Sequence, residues 1–256
     1  MVFALDHLDG TCSYTECRNR APAYFEYTGP HHDSRHDYYT QKVERREREC
    51  RSLIDEIAQA NFASAALGFD KKVKIDAQKV IMAGHSMGGC TALYVGESDP
   101  RVKAVLTLDP WLLPMKTEIE GLKLKKLAQK PTFLLNSSHF HRSIYYYDHE
   151  TLFNKLANEI MKPKNLENII INKSNHSHQT DIVCMTPLEV ELGGDAKYTD
   201  TRYPRTHLPQ LHQLMILLQL DFLSRAGFGN EIDSTQRVNA QIDKWKEEYV
   251  NYLKKY

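Results

Sequence analysis

Gly84-His85-Ser86-Met87-Gly88 is the stretch of this chain best suited to covalent chemistry. A serine hydroxyl is a weak nucleophile until a base takes its proton and a carboxylate orients that base. G-x-S-x-G supplies such a serine when it sits on a tight turn between a strand and a helix. Here Lys79–Ala83 reads as a short buried strand, and Gly88–Tyr94 opens a helix of small residues. A turn that tight leaves no room for Cβ atoms, so Gly84 and Gly88 read as steric requirements. The following helix aims its N-terminus at Ser86 and presents the Met87 N–H to an oxyanion. His85 fills the position before the serine and borders the pocket.

The acid and the base must come from loops after later strands, in the order Ser, acid, His. Strand Val102–Leu108 ends at Asp109, followed by Pro110 and Trp111, which stop the strand and wall the pocket. Asp is also common at ordinary strand-end turns, the bland alternative for Asp109. Asp148, in a helical stretch, and Asp181, after the histidines, are weaker candidates. The strand Asn168–Asn172 runs into a loop with His176 and His178, and the residues alone leave both open as the base. This chemistry requires no metal and no cofactor. His31, His32 and His36 with Asp33 and Asp37 have metal-ligand types but lie in a polar loop, and residue types alone do not make a site.

The elements that must position these groups alternate strand and helix. Val2–Leu5 reads as a strand, about 6–40 as an irregular loop, and Gln41–Ala66 as a helix with a charged first half. Strand Pro131–Asn136, helix Tyr147–Met161 and strand Asn168–Asn172 follow, then helices Leu208–Ala226 and Ser234–Lys254. Apolar strands alternating with helices predict an α/β fold: a mostly parallel sheet covered on both faces, in one domain spanning 1–256. The Leu211, Leu214, Met215, Leu218, Phe222 stripe has helical spacing and reads as a core face before a membrane surface. Lys123, Lys125, Lys126 and Lys130 read as a solvated face. Tyr145, Tyr146 and Tyr147 could line a pocket or pack at a sheet edge.

Composition narrows the function classes. The 256 residues carry 33 Lys plus Arg against 33 Asp plus Glu, a balance that argues against nucleic acid. No apolar run approaches the length of a membrane span. Five scattered cysteines, an odd number, do not make a disulfide framework. The N-terminus lacks the basic segment of a signal peptide, which favours a cytoplasmic chain.

At these residues the chain resembles the platelet-activating-factor acetylhydrolase family of α/β-hydrolases. Gly84-His85-Ser86-Met87-Gly88-Gly89 is similar to the family elbow, and Leu108-Asp109-Pro110-Trp111-Leu112-Leu113-Pro114 to its strand-end block. Pro131–Ser137 looks like its next strand and His178-Gln179 like its His-Gln pair. Val43–Cys50 looks like its charged helix, and Asp6–Asp9 like the strand end before it. Carried over, the resemblance implies a triad of Ser86, Asp109 and His178, with His176 as fallback because this loop is about two residues longer. It implies a calcium-independent serine esterase acting on the short acyl ester of phospholipids. The elbow alone also fits dienelactone and polyester hydrolases, so a broader carboxylester hydrolase stays open.

One departure stands out. The strand carrying the family's second oxyanion donor should precede the elbow strand, and 6–78 holds no candidate for it. The expectation is therefore a hydrolase fold incomplete at its N-terminal side. It raises a catalytically impaired remnant as a third reading, and secretion if a leader precedes Met1. Partners are expected to be a phospholipid or small ester, with transient membrane or lipoprotein contact admitted and the oligomeric state open.

Overall fold

The computed structural model describes residues 1–11, 14–15, 23–24, 35–141, 149–172, 174–180, 208–228 and 253–255. In chain order, β1 (Tyr14–Thr15) pairs antiparallel with β2 (Ala23–Tyr24), and α1 (Arg35–Ile57) leads to a short α2 (Phe62–Ala65). Then come β3 (Val80–His85), α3 (Met87–Ser98), β4 (Val102–Leu108), α4 (Lys116–Glu120), β5 (Thr132–Ser137), α5 (Ser138–His141) and α6 (His149–Lys155). After them lie β6 (Leu166–Ile171), α7 (Leu208–Arg225) and β7 (Leu253–Lys255). β3, β4, β5 and β6 pair in that order, all parallel, and β7 closes the far edge antiparallel to β6.

Side-chain alternation covers this sheet on both faces, with one register shift where Val80 pairs Val102 and Ile81 pairs Ala104, so that Val102 and Val105 share a face. Val102, Val105 and Leu134 turn toward a core shared with α1 and α3. Ala104, Leu106, Phe133, Leu135, Ile169 and Ile171 turn toward α7. There the Leu211, Leu214, Met215, Leu218, Phe222 stripe is buried, and Phe222 stacks on Phe133 at 5.2 Å. The stripe is therefore a core face. Among the described residues no helix is long and apolar enough to cross a membrane.

Helix α1 buries Val43, Cys50, Ile54 and Ile57 along one side. Its charges divide between solvent and specific clamps. Arg45 reaches Glu49 at 3.1 Å and Arg51 reaches Glu47 at 3.3 Å, exposed pairs four residues apart. Arg46 instead donates to the buried Asp9 at 2.6 Å, fastening the N-terminal segment onto the helix. Burial pushes the Cys50 thiol up to about 11, so it stays protonated.

Several expected boundaries shift. Val2–Leu5 forms no strand: Met1 and Val2 are exposed, and Phe3 packs its ring on Phe62 at 6.0 Å. An apolar tetrapeptide without a partner strand has nowhere to place its backbone hydrogen bonds. The loop expected over 6–40 holds the β1–β2 pair and the first turns of α1, which starts at Arg35 and breaks after Ile57. Most of Ser234–Lys254 lies outside the described residues, but its last residues, Leu253 and Lys254, are strand rather than helix. Tyr145–Tyr147, His31, His32, Asp33, Asp148 and Asp181 also lie outside.

The α3–β4 turn is held chiefly by the Asp99–Arg101 pair, with Arg101 also reaching Asp55 at 2.7 Å. Asp99 is 2% exposed and accepts from Arg101 N and Nε at 2.9 Å each and from Nη2 at 2.6 Å. The Arg101 hydrogen bonds, against the opposing effect of burial, hold the Asp99 carboxyl below its ordinary 3.8. Its stabilisation is present above that value and lost as pH falls through the folded pKa. Asp99→Asn should cost about 2 kcal/mol at pH 7 in urea unfolding. The gap to the native sequence should close below pH 3.8, where the native carboxyl takes up its proton.

Candidate active site

Ser86 occupies the sharp turn between β3 and α3 with φ 57° and ψ −121°, the left-handed side of the map that L residues rarely enter. The strain is held by neighbours: Ser86 N donates to Leu108 O at 2.9 Å, and Ser86 O accepts from Trp111 N at 2.9 Å. Met87 is the first helical residue, and its N–H belongs to the turn that has no intrahelical acceptor.

The sterics of this turn correct the sequence reading of its glycines. A Cβ on Gly84 would lie 2.1 Å from the Gly88 carbonyl oxygen, which is impossible. A Cβ on Gly88 would meet nothing within 4 Å. The second glycine with a steric reason is Gly89, whose Cβ would stand 2.9 Å from Pro110 Cα. That close approach lets the segment after Asp109 lie against the start of α3.

Asp109 ends β4 with φ 43° and is completely buried. Its Oδ1 accepts from Ser137 N at 2.6 Å, and its Oδ2 accepts from Ser137 Oγ at 2.6 Å. The third partner is His176, whose Nδ1 lies 3.2 Å from Asp109 Oδ2 while its Nε2 lies 2.9 Å from Ser86 Oγ. Ser86, His176 and Asp109 thus form one continuous hydrogen-bonded chain.

His178 is not in it. A 3-10 turn, His176–Gln179, carries both histidines, and Asn175 caps it: Asn175 Oδ1 accepts from His178 N at 3.1 Å. In return His178 Nδ1 accepts from Asn175 N at 3.2 Å, and the ring is 5% exposed. At three residues per turn, positions two apart point about 240° apart, so one turn cannot aim both rings at Ser86. The resemblance of His178-Gln179 to a His-Gln pair points to His178, but the residue that the structure brings between Ser86 and Asp109 is His176, the fallback. The N-cap pattern Asn175-x-x-His178 was the available signal against it.

His85 is more than a filler, because its ring packs on His176 at 4.3 Å. Burial, then the neighbouring His176, pushes His85 down to about 4. Trp111 reaches the turn through its backbone N–H, and its ring packs edge-on to Tyr39 of α1 at 4.6 Å. Three residues absent from the sequence reading complete the surroundings. Ser137 fixes Asp109, Phe140 stacks on His176 at 4.1 Å, and the buried His149 packs edge-on to Phe140 at 4.8 Å. Burial, then His141 and His176, pushes His149 down to about 3. Among the described residues, His85, Asp109 and His176 are also the group whose ligand-type atoms all fall within 4.8 Å of one another. Two hydrogen bonds from Ser137 and the contact with His176 already engage the Asp109 carboxylate.

Residues 1–200 match the family model described as "Platelet-activating factor acetylhydrolase, isoform II". The chain is 29% identical over 157 residues to the platelet-activating factor acetylhydrolase of Canis lupus familiaris, covering 55% of this chain and 34% of that one. It is 35% identical over 69 residues to that of Cavia porcellus, covering 27% and 15%. The match to the Bos taurus protein is 27% over 157 residues, again 55% and 34%. The matched region thus spans about a third or less of these relatives' length. Among solved structures, a ferulic acid esterase from Streptomyces cinnamoneus superposes with a TM-score of 0.53 at 18% identity, over 73% of this chain and 49% of that one. That likeness shows the α/β-hydrolase fold.

The elbow geometry predicts that Gly84→Ala costs about 3 kcal/mol and abolishes organophosphate labelling of Ser86. Gly88→Ala should fold and label normally. Thermal unfolding and intact-mass analysis check both. The neutral histidines His85 and His149 set a pH response as well. Unfolded, each titrates near 6.5, but folded His85 and His149 titrate near 4 and 3. Stability should therefore be whole above about pH 6.5 and fall toward pH 4, by up to ~1.4 kcal/mol per unit per histidine. His149→Phe should roughly halve that slope in urea titrations across this window.

Proposed function

The chain belongs to the platelet-activating factor acetylhydrolase, isoform II, family, and on that premise we propose that it is a serine esterase cleaving the short acyl ester of platelet-activating-factor-like phospholipids. The observation that carries the proposal is the hydrogen-bonded chain from Ser86 through His176 to Asp109. Family membership and the hydrolase fold support ester hydrolysis in general, and the phospholipid substrate rests on the family alone.

In this reading Ser86 Oγ attacks the ester carbonyl while His176 Nε2 takes its proton. The carbonyl oxygen becomes an oxyanion that the Met87 N–H and the positive end of α3 stabilise. The tetrahedral intermediate expels the alcohol, which receives the proton from His176, and the acyl group stays on Ser86. Water, deprotonated by His176, then releases the carboxylic acid and restores the serine. Asp109 orients the imidazole and stabilises its cationic form.

A catalytically impaired chain is the second reading, favoured by the place of β3. Among the described residues no strand pairs with β3 on the side away from β4. In this fold a loop on that side supplies the second oxyanion donor. One such donor is worth about 100- to 1000-fold in rate in subtilisin.

Ser86→Ala and His176→Ala should each lower kcat on the order of 10⁴-fold or more, as loss of triad members does in serine proteases. His178→Ala should stay within about tenfold of the native sequence, because its ring serves a helix cap. Faster hydrolysis of a 2-acetyl ether phospholipid than of a p-nitrophenyl ester would support the phospholipid reading. The reverse order would leave a general carboxylester hydrolase, and no Ser86-dependent turnover on either would leave the impaired chain.

A further inference from the structure

The base candidate is gripped on both faces. Phe140 stacks on the His176 ring with centroids 4.1 Å apart and planes at 12°, and His85 lies against it at 4.3 Å and 30°. Two rings in near-parallel contact cannot share one face, so His176 is the middle of a three-ring stack. The outer rings are anchored differently. Phe140 is wholly buried in α5, directly after β5, and the buried His149 of α6 backs it edge-on at 64°. His85 is the last residue of β3 and is fixed by the sheet.

Rigidity at this ring has a chemical purpose. A half-exposed imidazole turns readily about its Cβ–Cγ bond, where the torsional wells are broad. To relay a proton its two nitrogens must stay aligned with Ser86 Oγ and Asp109 Oδ2 together. The two hydrogen bonds fix two points on the ring edge but leave it free to tilt about the line joining them. A stack opposes that tilt, and aromatic pairs prefer such offset contact. Both histidines near the stack are neutral around pH 7, so no second positive charge faces His176 when it carries the proton.

We propose that Phe140 and His85 are positioning residues that clamp the His176 ring in the plane where it bonds Ser86 and Asp109 at once. The proposal rests on the serine-esterase reading for its effect on rate, but not for its effect on the ring itself.

Phe140→Leu tests it, because leucine fills most of the volume without supplying a flat face. Four measurements are compared with the native sequence: thermal unfolding, the fraction of Ser86 titrated by an organophosphate, kcat and KM per titrated serine, and the His176 Nδ1–H signal in ¹H–¹⁵N NMR. The expected result is a kcat loss of about 10- to 100-fold with KM within about threefold, the scale of a small misplacement of a catalytic group. The Nδ1–H signal should broaden or vanish through faster exchange. A filler-only Phe140 would lower thermal stability yet leave kcat per titrated serine and the NMR signal unchanged, and that outcome overturns the clamp. If Phe140→Leu does not fold, His85→Leu, at the half-buried face of the stack, carries the same expectation and the same refutation. If the native chain shows no Ser86-dependent turnover, the esterase reading falls and the NMR signal alone decides the clamp.

Discussion

The carboxylate of Asp109 is the constraint around which the site is built. It is completely buried, and an ionised group cannot stay so without partners that replace water. Ser137 supplies two of them from the end of β5, and His176 supplies the third from the loop after β6. The charge therefore ties together the ends of three neighbouring strands. Because β4, β5 and β6 are parallel and adjacent, their C-terminal ends lie along one edge of the sheet, where these groups converge. Satisfying the buried charge and assembling the Ser–His–Asp chain are one and the same arrangement.

Backbone sterics place Ser86 within reach of that edge. Ser86 holds a strained conformation, and the hydrogen bonds of its N–H and C=O to Leu108 and Trp111 keep it there. Gly84 permits the turn to close, and Gly89 permits the Asp109–Trp111 segment to lie against α3. Strain of this kind persists where surrounding structure over-determines it, which is typical of functional sites. β3 carries this machinery while pairing with β4 alone among the described residues. Ser86 thus follows directly on an edge strand of the five-stranded sheet.

Local sequence pattern and tertiary contact divided the work unevenly. The four parallel strands were legible because each is a short apolar run bounded by turns, whereas their register, with its shift between Val80 and Ile81, was not. Ser86 and Asp109 were legible because each is tied to a strand end, where chain direction leaves little choice. The base was not. His176 and His178 are equivalent as types, and resemblance favoured the second. The difference lies in Asn175, which caps the turn and takes the His178 ring for itself. The N-terminal apolar segment misled for a related reason, since strand propensity has no outlet without a partner strand.

By itself the sequence determined the α/β-hydrolase fold, the tight turn that carries Ser86 and the place of Asp109 at the end of the next strand. These are encoded in residues within a few positions of one another and in a fixed chain order. Tertiary structure alone decided which histidine completes the chain, which glycines the elbow requires and which rings hold the base. Each of those depends on contacts between segments far apart in sequence: Ser137 on Asp109, and His85 and Phe140 on His176. No local pattern records such distances, because they are set by how the sheet brings strand ends side by side.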